Sequence, residues 1–141
     1  MIVGIGEDGV DGLGSAARDA LQKAEVVFGG RRPLAPAAPL VRGAPRPWPS
    51  PFERAVDEVL AERGRPVCVL ASGDPFLYGI GPLLARRLPG GEWWALPGVS
   101  AFSLAAARLG WSLPETALVS VRDLKTYYSI RGSFADRLIG R

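Results

Sequence analysis

Histidine is absent from this 141-residue chain, and cysteine occurs once, at Cys68. The usual zinc sites and histidine-based catalytic triads are therefore excluded, and an internal disulfide cannot form. We predict no metal site. The single cysteine lies inside the apolar run "PVCVLA", which is typical of a buried and unreactive thiol.

Long apolar runs and clustered charge are also missing. No stretch of about 18 apolar residues is present to span a bilayer, and "MIVGIGEDG" lacks the features of a signal peptide, so we expect a cytosolic protein without a membrane partner. The net charge of +3 is not gathered into a basic stripe with aromatic residues, which argues against a nucleic-acid partner. Most of the cations are arginines, which suit the carboxylates or phosphates of a small anionic substrate.

The apolar residues, 48% of the chain, suffice for one packed core and fall into short runs that alternate with amphipathic segments. Those runs predict strands, and Ser15, Ser50 and Ser100 are predicted as N-caps of the helices between them. The predicted strands are "MIVGIG", "EVVFGG", "PVCVLA", "EWWAL" and "TALVSV". This order predicts an α/β fold, with a mostly parallel sheet flanked by helices.

Proline dominates the segment 31–51, "RRPLAPAAPLVRGAPRPWPSP", which holds seven of the chain's 13 prolines. We predict a stiff connection there, because proline opposes a continuous helix and a central strand. The segment ends in "SPFE", which resembles a capping box formed by Ser50 and Glu53. Residues 122–141 show no clear period and are not assigned to an element.

Three glycine-containing turns follow predicted strands: "GIGEDG", "SGDPFLYG" and "PGVSA". In open parallel sheets, ligands bind outside the carboxyl ends of the strands, so we expect the three turns to share one edge and to form a binding site. Gly73 would let the main chain approach a ligand, and Pro75 would fix the second turn.

The first turn also fits another motif, because Gly4, Gly6 and Gly9 satisfy the G-x-G-x-x-G pattern of dinucleotide-binding proteins. That alternative predicts the NADP-binding lobe of an oxidoreductase, with Arg31 or Arg32 near the cofactor. The match is weak, since the third glycine does not enter a helix and no acidic residue ends the second strand.

Several side chains near the turns have ordinary structural explanations. Asp74 before proline is typical of an Asx turn. Trp93 and Trp94 are adjacent on a strand, which places one ring in the core and the other on the surface. Tyr78 is either a ligand-facing ring or a packing residue.

Taken in order, "GIGEDG", "ASGDPFLYG" and "PGVSAFSLAAARLGWSLPE" resemble the tetrapyrrole (class III) methyltransferases of corrin synthesis over about residues 1–121. The stretches "VVFGGRR", "PWPSPF" and "GWSLPE" are similar to the branch that acts on precorrin-6Y in cobalamin biosynthesis. The resemblance implies a two-lobed α/β enzyme that binds S-adenosyl-L-methionine between its lobes, with the precorrin beside it.

In this family a second lobe follows and supplies most contacts of a homodimer. Here we expect residues 1–121 to form the N-terminal lobe, followed by an atypical tail, 122–141, with the second lobe absent. A non-catalytic truncated lobe is therefore an alternative to a working enzyme. Methyl transfer is an in-line displacement that needs no covalent protein intermediate, and no catalytic residue is assigned.

The resemblance also implies cofactor contacts on all three turns. They are Glu7, Ser72, Gly73, Asp74, Leu77, Ser100 and Ala101. Glu7 departs from the family pattern, since many relatives carry proline there. On charge complementarity alone, the arginines of the proline-rich segment are candidates to bind the acetate and propionate groups of a precorrin: Arg31, Arg32, Arg42 and Arg46.

Overall fold

A computed structural model describes residues 1–120; the tail that the sequence left unassigned, 122–141, lies outside them. The chain divides into two compact units, and the boundary lies after Leu104. Within the described residues, no helix has the length and apolar character needed to cross a membrane.

The first unit contains a five-stranded sheet in the order β3-β2-β4-β1-β5. Its strands are β1 (Ile2–Ile5), β2 (Val26–Gly29), β3 (Ala44–Pro47), β4 (Val67–Ser72) and β5 (Ala95–Leu96). All neighbouring strands are parallel, which confirms the predicted α/β fold. The apolar run of β4 lies at the centre, and Cys68, Val69 and Leu70 are buried there.

Helices follow the strands along the chain. They are α1 (Ser15–Lys23), α2 (Arg31–Ala37), α3 (Ala55–Ala61), α4 (Gly81–Ala85) and α5 (Ala101–Leu109), with 3₁₀ turns at Phe52–Arg54 and Leu113–Glu115. Successive strand residues point to opposite faces of the sheet, so two apolar clusters form. Leu21 of α1 packs with Leu70 in one cluster, and Val59 of α3 packs with Val69 in the other.

Two of the three predicted N-caps are wrong. Helix α1 begins at Ser15 itself, and its N-cap is Gly14, an extended residue that has no side chain to bond. Pro51, rather than Ser50, precedes the 3₁₀ turn that leads into α3, and no side-chain cap bond forms there. Only Ser100 caps as predicted: its Oγ accepts a hydrogen bond of 3.0 Å from the Ser103 N–H.

The proline-rich segment is more regular than predicted, because it contains both α2 and β3. Helix α2 accommodates Pro33 in its first turn, where N–H groups need no intrahelical partner. The Ala44 N–H donates to the Glu25 carbonyl just before β2, and the N–H of Trp48, the residue after β3, donates to Gly29 of β2. Pro45 and Pro47 occupy the alternate, outward positions of β3. A strand at the sheet edge therefore tolerates these prolines, as a central strand would not.

The last two predicted strands are overestimated. Of the strand predicted over "EWWAL", only Ala95–Leu96 forms. The alternation predicted there holds, since Trp93 packs against the core and Trp94 is 69% exposed. The predicted strand "TALVSV" does not form across residues 116–120, and its final valine lies outside the described residues.

The core assignment predicts a large difference between two aromatic truncations. Phe28 is fully buried and stacks on Trp48 with ring centroids 6.1 Å apart. We expect Phe28→Ala to lower the free energy of unfolding by about 3–5 kcal/mol in a denaturant titration. Trp94→Ala, the control, should change it by less than about 0.5 kcal/mol. Equal losses in the two variants would contradict this assignment.

The thiol of Cys68 gives a prediction in alkaline solution. Burial raises the pKa of Cys68 to about 12, from an ordinary value of 9.0, so the folded chain keeps its proton where the unfolded chain loses it. The stabilisation from this group is complete below pH 9 and decreases as the pH rises toward 12. Denaturant titrations should therefore show a steeper alkaline loss of stability in the native sequence than in Cys68→Ala. Parallel pH profiles of stability for the two proteins would contradict this prediction.

Candidate functional site at the carboxyl edge of the sheet

The three glycine turns meet at the carboxyl edge, as the sequence predicted, because β4, β1 and β5 are neighbours. The Gly73 N–H donates to the Ile5 carbonyl oxygen at 2.8 Å, and the Gly98 N–H donates to the Gly73 carbonyl oxygen at 3.2 Å. Main-chain hydrogen bonds therefore link the turn after β4, which we call the β4 turn, to the turns after β1 and β5.

Glycine is required where these turns touch. A Cβ atom on Gly4 would collide with the carbonyl oxygen of Gly73 and the amide nitrogen of Gly98. A Cβ on Gly98 would lie 2.9 Å from that same oxygen. We call Gly4, Gly73 and Gly98 the glycine junction. The site residues predicted from sequence omitted Gly4 and Gly98, although each belongs to a quoted turn motif.

The β1–α1 loop, residues 6–14, makes two consecutive turns. The Gly9 N–H donates to the Gly6 carbonyl at 3.2 Å, and the Leu13 N–H donates to the Val10 carbonyl at 3.2 Å. Glu7 lies exposed in the first of these turns, and Leu13 is buried in the core. The loop therefore has a first half, residues 6–9, with Glu7 and Asp8 exposed, and an anchored half, residues 10–13, held by the buried Leu13.

The dinucleotide motif is not realised in this loop. Gly9 adopts a φ of 60° within the loop, and α1 begins only at Ser15, so the third glycine does not pack inside a helix. The strand order also differs from that of the dinucleotide-binding fold.

The β4 turn forms the predicted Asx turn: Oδ1 of Asp74 accepts a hydrogen bond of 2.8 Å from the Phe76 N–H. Ser72 ends β4 with an exposed side chain, Gly73 has a φ of 64°, and Leu77 is half-buried. The left-handed main chain makes Gly73 hard to replace.

The β5 turn leads into α5. Ser100 is buried, and its hydroxyl is engaged by the Ser103 N–H and, at 2.9 Å, by the Ser103 hydroxyl. Ala101, the first residue of α5, is exposed. The Ser100 hydroxyl is thus committed to the helix cap, which leaves main-chain groups and Ala101 as the ligand-facing part of this turn.

Tyr78 joins the second and third turns. Its ring centroid lies 5.9 Å from that of Phe102, and its side chain is 44% exposed. The sequence left packing and ligand contact open, and the structure shows ring packing with one side still accessible. Its φ of 56° is the only positive value at a non-glycine residue within 1–120. Such conformations cluster at functional sites.

The four arginines proposed for substrate carboxylates are separated by the fold. Arg31 and Arg32 begin α2, directly after the carboxyl end of β2. Arg42 precedes the start of β3, at the opposite edge, and Arg46 pairs with Glu62 at 3.5 Å. Their positions therefore favour Arg31 and Arg32 as contacts of a substrate at the carboxyl edge, and argue against Arg42.

A cavity of about 350 Å³ lies at the opposite, amino edge of the sheet, next to Met1, Val67 and Trp93. None of the seven predicted site residues lines it. We place the candidate site at the carboxyl edge nevertheless, because the glycine junction and the three turns are there.

Comparison with known proteins shows the family of the chain. A family model described as tetrapyrrole (corrin/porphyrin) methylases matches residues 1–133. The chain is 54% identical over 120 residues to a precorrin-6Y C(5,15)-methyltransferase [decarboxylating] of Sinorhizobium sp, covering 85% of this chain and 29% of that protein. The chain spans about a third of the length of this relative and of a 38% identical relative from Mycobacterium tuberculosis.

Solved structures agree with the sequence comparisons. A precorrin-6Y methylase from Archaeoglobus fulgidus matches with a TM-score of 0.63 and 29% identity, over 87% of this chain and 65% of that one. A uroporphyrin-III C-methyl transferase from Thermus thermophilus, complexed with S-adenosyl homocysteine, matches with a TM-score of 0.55 and 28% identity, over 76% of this chain and 50% of that one. The resemblance drawn from the three turn motifs is confirmed, and the chain belongs to the tetrapyrrole methylase family.

Proposed function

We propose that this chain is the N-terminal part of an S-adenosyl-L-methionine-dependent methyltransferase that methylates a carbon of a precorrin in cobalamin biosynthesis. The convergence of three glycine turns at one sheet edge carries the proposal. The 54% identity to a precorrin-6Y methyltransferase supports the choice of substrate. A cytosolic location, a homodimer and a domain boundary at residue 121 stay predictions from the sequence.

The residues at this edge fit such a cofactor. A zwitterionic nucleoside needs main-chain polar groups at close range and some apolar surface. The junction's own N–H groups bond within it, so we propose that the main-chain groups come from the three turns that it holds together. The apolar surface comes from the exposed side chains of Phe76, Tyr78 and Val99, which lie on or beside the turns. When bound, the cofactor offers a methyl group on a positively charged sulfur atom.

The contacts that we propose come from all three turns: Glu7 of the first, Ser72, Gly73, Asp74 and Leu77 of the second, and Ser100 and Ala101 of the third. Asp74 and Ser100 would act mainly by shaping the main chain, since their side-chain oxygens already accept N–H bonds. The chain would contribute alignment and exclusion of water, which is the principal requirement of an in-line transfer. No general base is assigned.

The proposed substrate contact lies beside this site. The side chains of Arg31 and Arg32 are exposed and form no hydrogen bond or ion pair with another residue in 1–120. Helix α2 also lies next to the β1–α1 loop, because a Cβ on Gly9 would be 3.4 Å from Cβ of Pro36. We propose that Arg31 and Arg32 meet carboxylates of the precorrin.

Binding of S-adenosylmethionine tests the cofactor site. Gly73→Val should weaken binding at least tenfold, about 1.4 kcal/mol, in a calorimetric titration, because the left-handed main chain and a Cβ 3.2 Å from the Val99 oxygen would shift the turn. Gly91→Val is the matched control: Gly91 also has a positive φ, 91°, with open space around it.

The control should lose stability without losing affinity. If Gly73→Val and the native sequence bound S-adenosylmethionine with equal affinity, the β4 turn would not be part of the cofactor site. A folded native chain that binds NADPH but not S-adenosylmethionine would overturn the proposed function.

Charge reversal tests the substrate contact. Uroporphyrin, a fluorescent tetrapyrrole polycarboxylate, is the probe. Arg31→Glu should weaken its binding about threefold to tenfold, as expected for one exposed ionic contact. Arg42→Glu removes an exposed arginine at the other edge and should leave the affinity within twofold. Equal effects would indicate a response to net charge alone and contradict the assignment.

A further inference from the structure

The β1–α1 loop combines a flexible composition with a tightly bonded path. Four of its nine residues, 6–14, are glycine. Glycine loses more conformational freedom on ordering than any other residue, so such a loop needs specific contacts to hold one conformation. Besides its own main-chain bonds and the buried Leu13, the loop is held by three hydrogen bonds from a single side chain of α1.

That side chain is Arg18. Its Nε donates to the Leu13 carbonyl at 2.8 Å, and its Nη2 donates to the carbonyls of Val10 and, at 3.3 Å, Asp11. The planar guanidinium carries five N–H donors in a fixed fork, and a lysine could not span three acceptors in the same way. Arg18 forms no ion pair with another residue in 1–120.

The three hydrogen bonds of Arg18 all go to the anchored half of the loop, residues 10–13. The first half, residues 6–9, carries the exposed Glu7 and joins the anchored half through one peptide bond, between Gly9 and Val10. The Asp8 carboxylate also occupies the space that a Cβ on Gly12 would need, so the two halves lie against each other. Movement of the anchored half would therefore release the half that faces the proposed cofactor.

We propose that Arg18 is a positioning residue, which orders the β1–α1 loop before the cofactor binds. An ordered loop loses less conformational entropy on binding, so the affinity is higher. The effect on affinity rests on the proposed function, whereas the ordering of the loop does not. Arg18 itself does not contact the reacting atoms in this proposal.

Amide hydrogen exchange tests the ordering without any cofactor. The reporters are the Gly9 and Leu13 amides, which bond to Gly6 and Val10. In Arg18→Met their protection should decrease at least tenfold, and the Val69 amide of β4 should keep its protection. Arg18→Lys should be intermediate. Arg87→Met, which removes an arginine bonded to Asp57 on the surface, is the control and should leave all three amides unchanged.

Calorimetry with S-adenosylmethionine tests the consequence. Arg18→Met should weaken binding about tenfold, with the loss in the entropic part, and Arg18→Lys should recover part of it. Unchanged loop protection in Arg18→Met would overturn the proposal. If the Val69 amide of β4 lost as much protection as the loop amides, Arg18 would have a purely structural role. The same conclusion would follow if the loop amides lost protection and the affinity for S-adenosylmethionine did not change.

A native chain that binds no S-adenosylmethionine would count against the cofactor site proposed on these turns, and not against the ordering of the loop. In that case the exchange measurement still decides whether Arg18 orders the loop.

Discussion

The close approach of three main chains at the glycine junction is the constraint on which the site depends. Gly4, Gly73 and Gly98 come from three neighbouring strands, and no side chain fits between them. Hydrogen bonds of 2.8 and 3.2 Å then join the turns through Gly73. Because the contact is between main chains, the relative positions of the turns are set with little freedom for side chains to adjust.

The rest of the fold keeps those strand ends in register. Central strand β4 pairs with β1 and β2, and alternate residues of β4 enter the apolar clusters on the two faces of the sheet. Leu70 packs on the α1 side and Val69 on the α3 side. Burial on both faces leaves β4 no alternative register, since a shift by one residue would exchange the two clusters.

Periodicity and turn chemistry predicted the parts of this structure that depend on local interactions. The run around Cys68 predicted the central strand, Asp74 before proline predicted the Asx turn, and Ser100 predicted a helix cap. The ordered turn motifs predicted that the three turns share the carboxyl edge of the sheet, and they do. Each of these features is determined within a few residues of chain.

Features that depend on distant partners were missed. The proline-rich segment forms β3 because β2 offers it an edge, and no local pattern records that pairing. Gly4 and Gly98 are needed because of residues far along the chain. No sequence pattern singled out Arg18, because its bonds to the loop depend on the path that the loop takes above α1.

The proline positions in β3 also bear on self-association. An exposed edge strand normally invites a strand from another molecule, through its outward N–H and C=O groups. In β3 the outward positions are Pro45 and Pro47, so this edge offers carbonyl acceptors but no N–H donors there. A second copy therefore cannot extend the sheet beyond β3 by regular pairing, and the prolines that obscured this strand in the sequence protect it from aggregation.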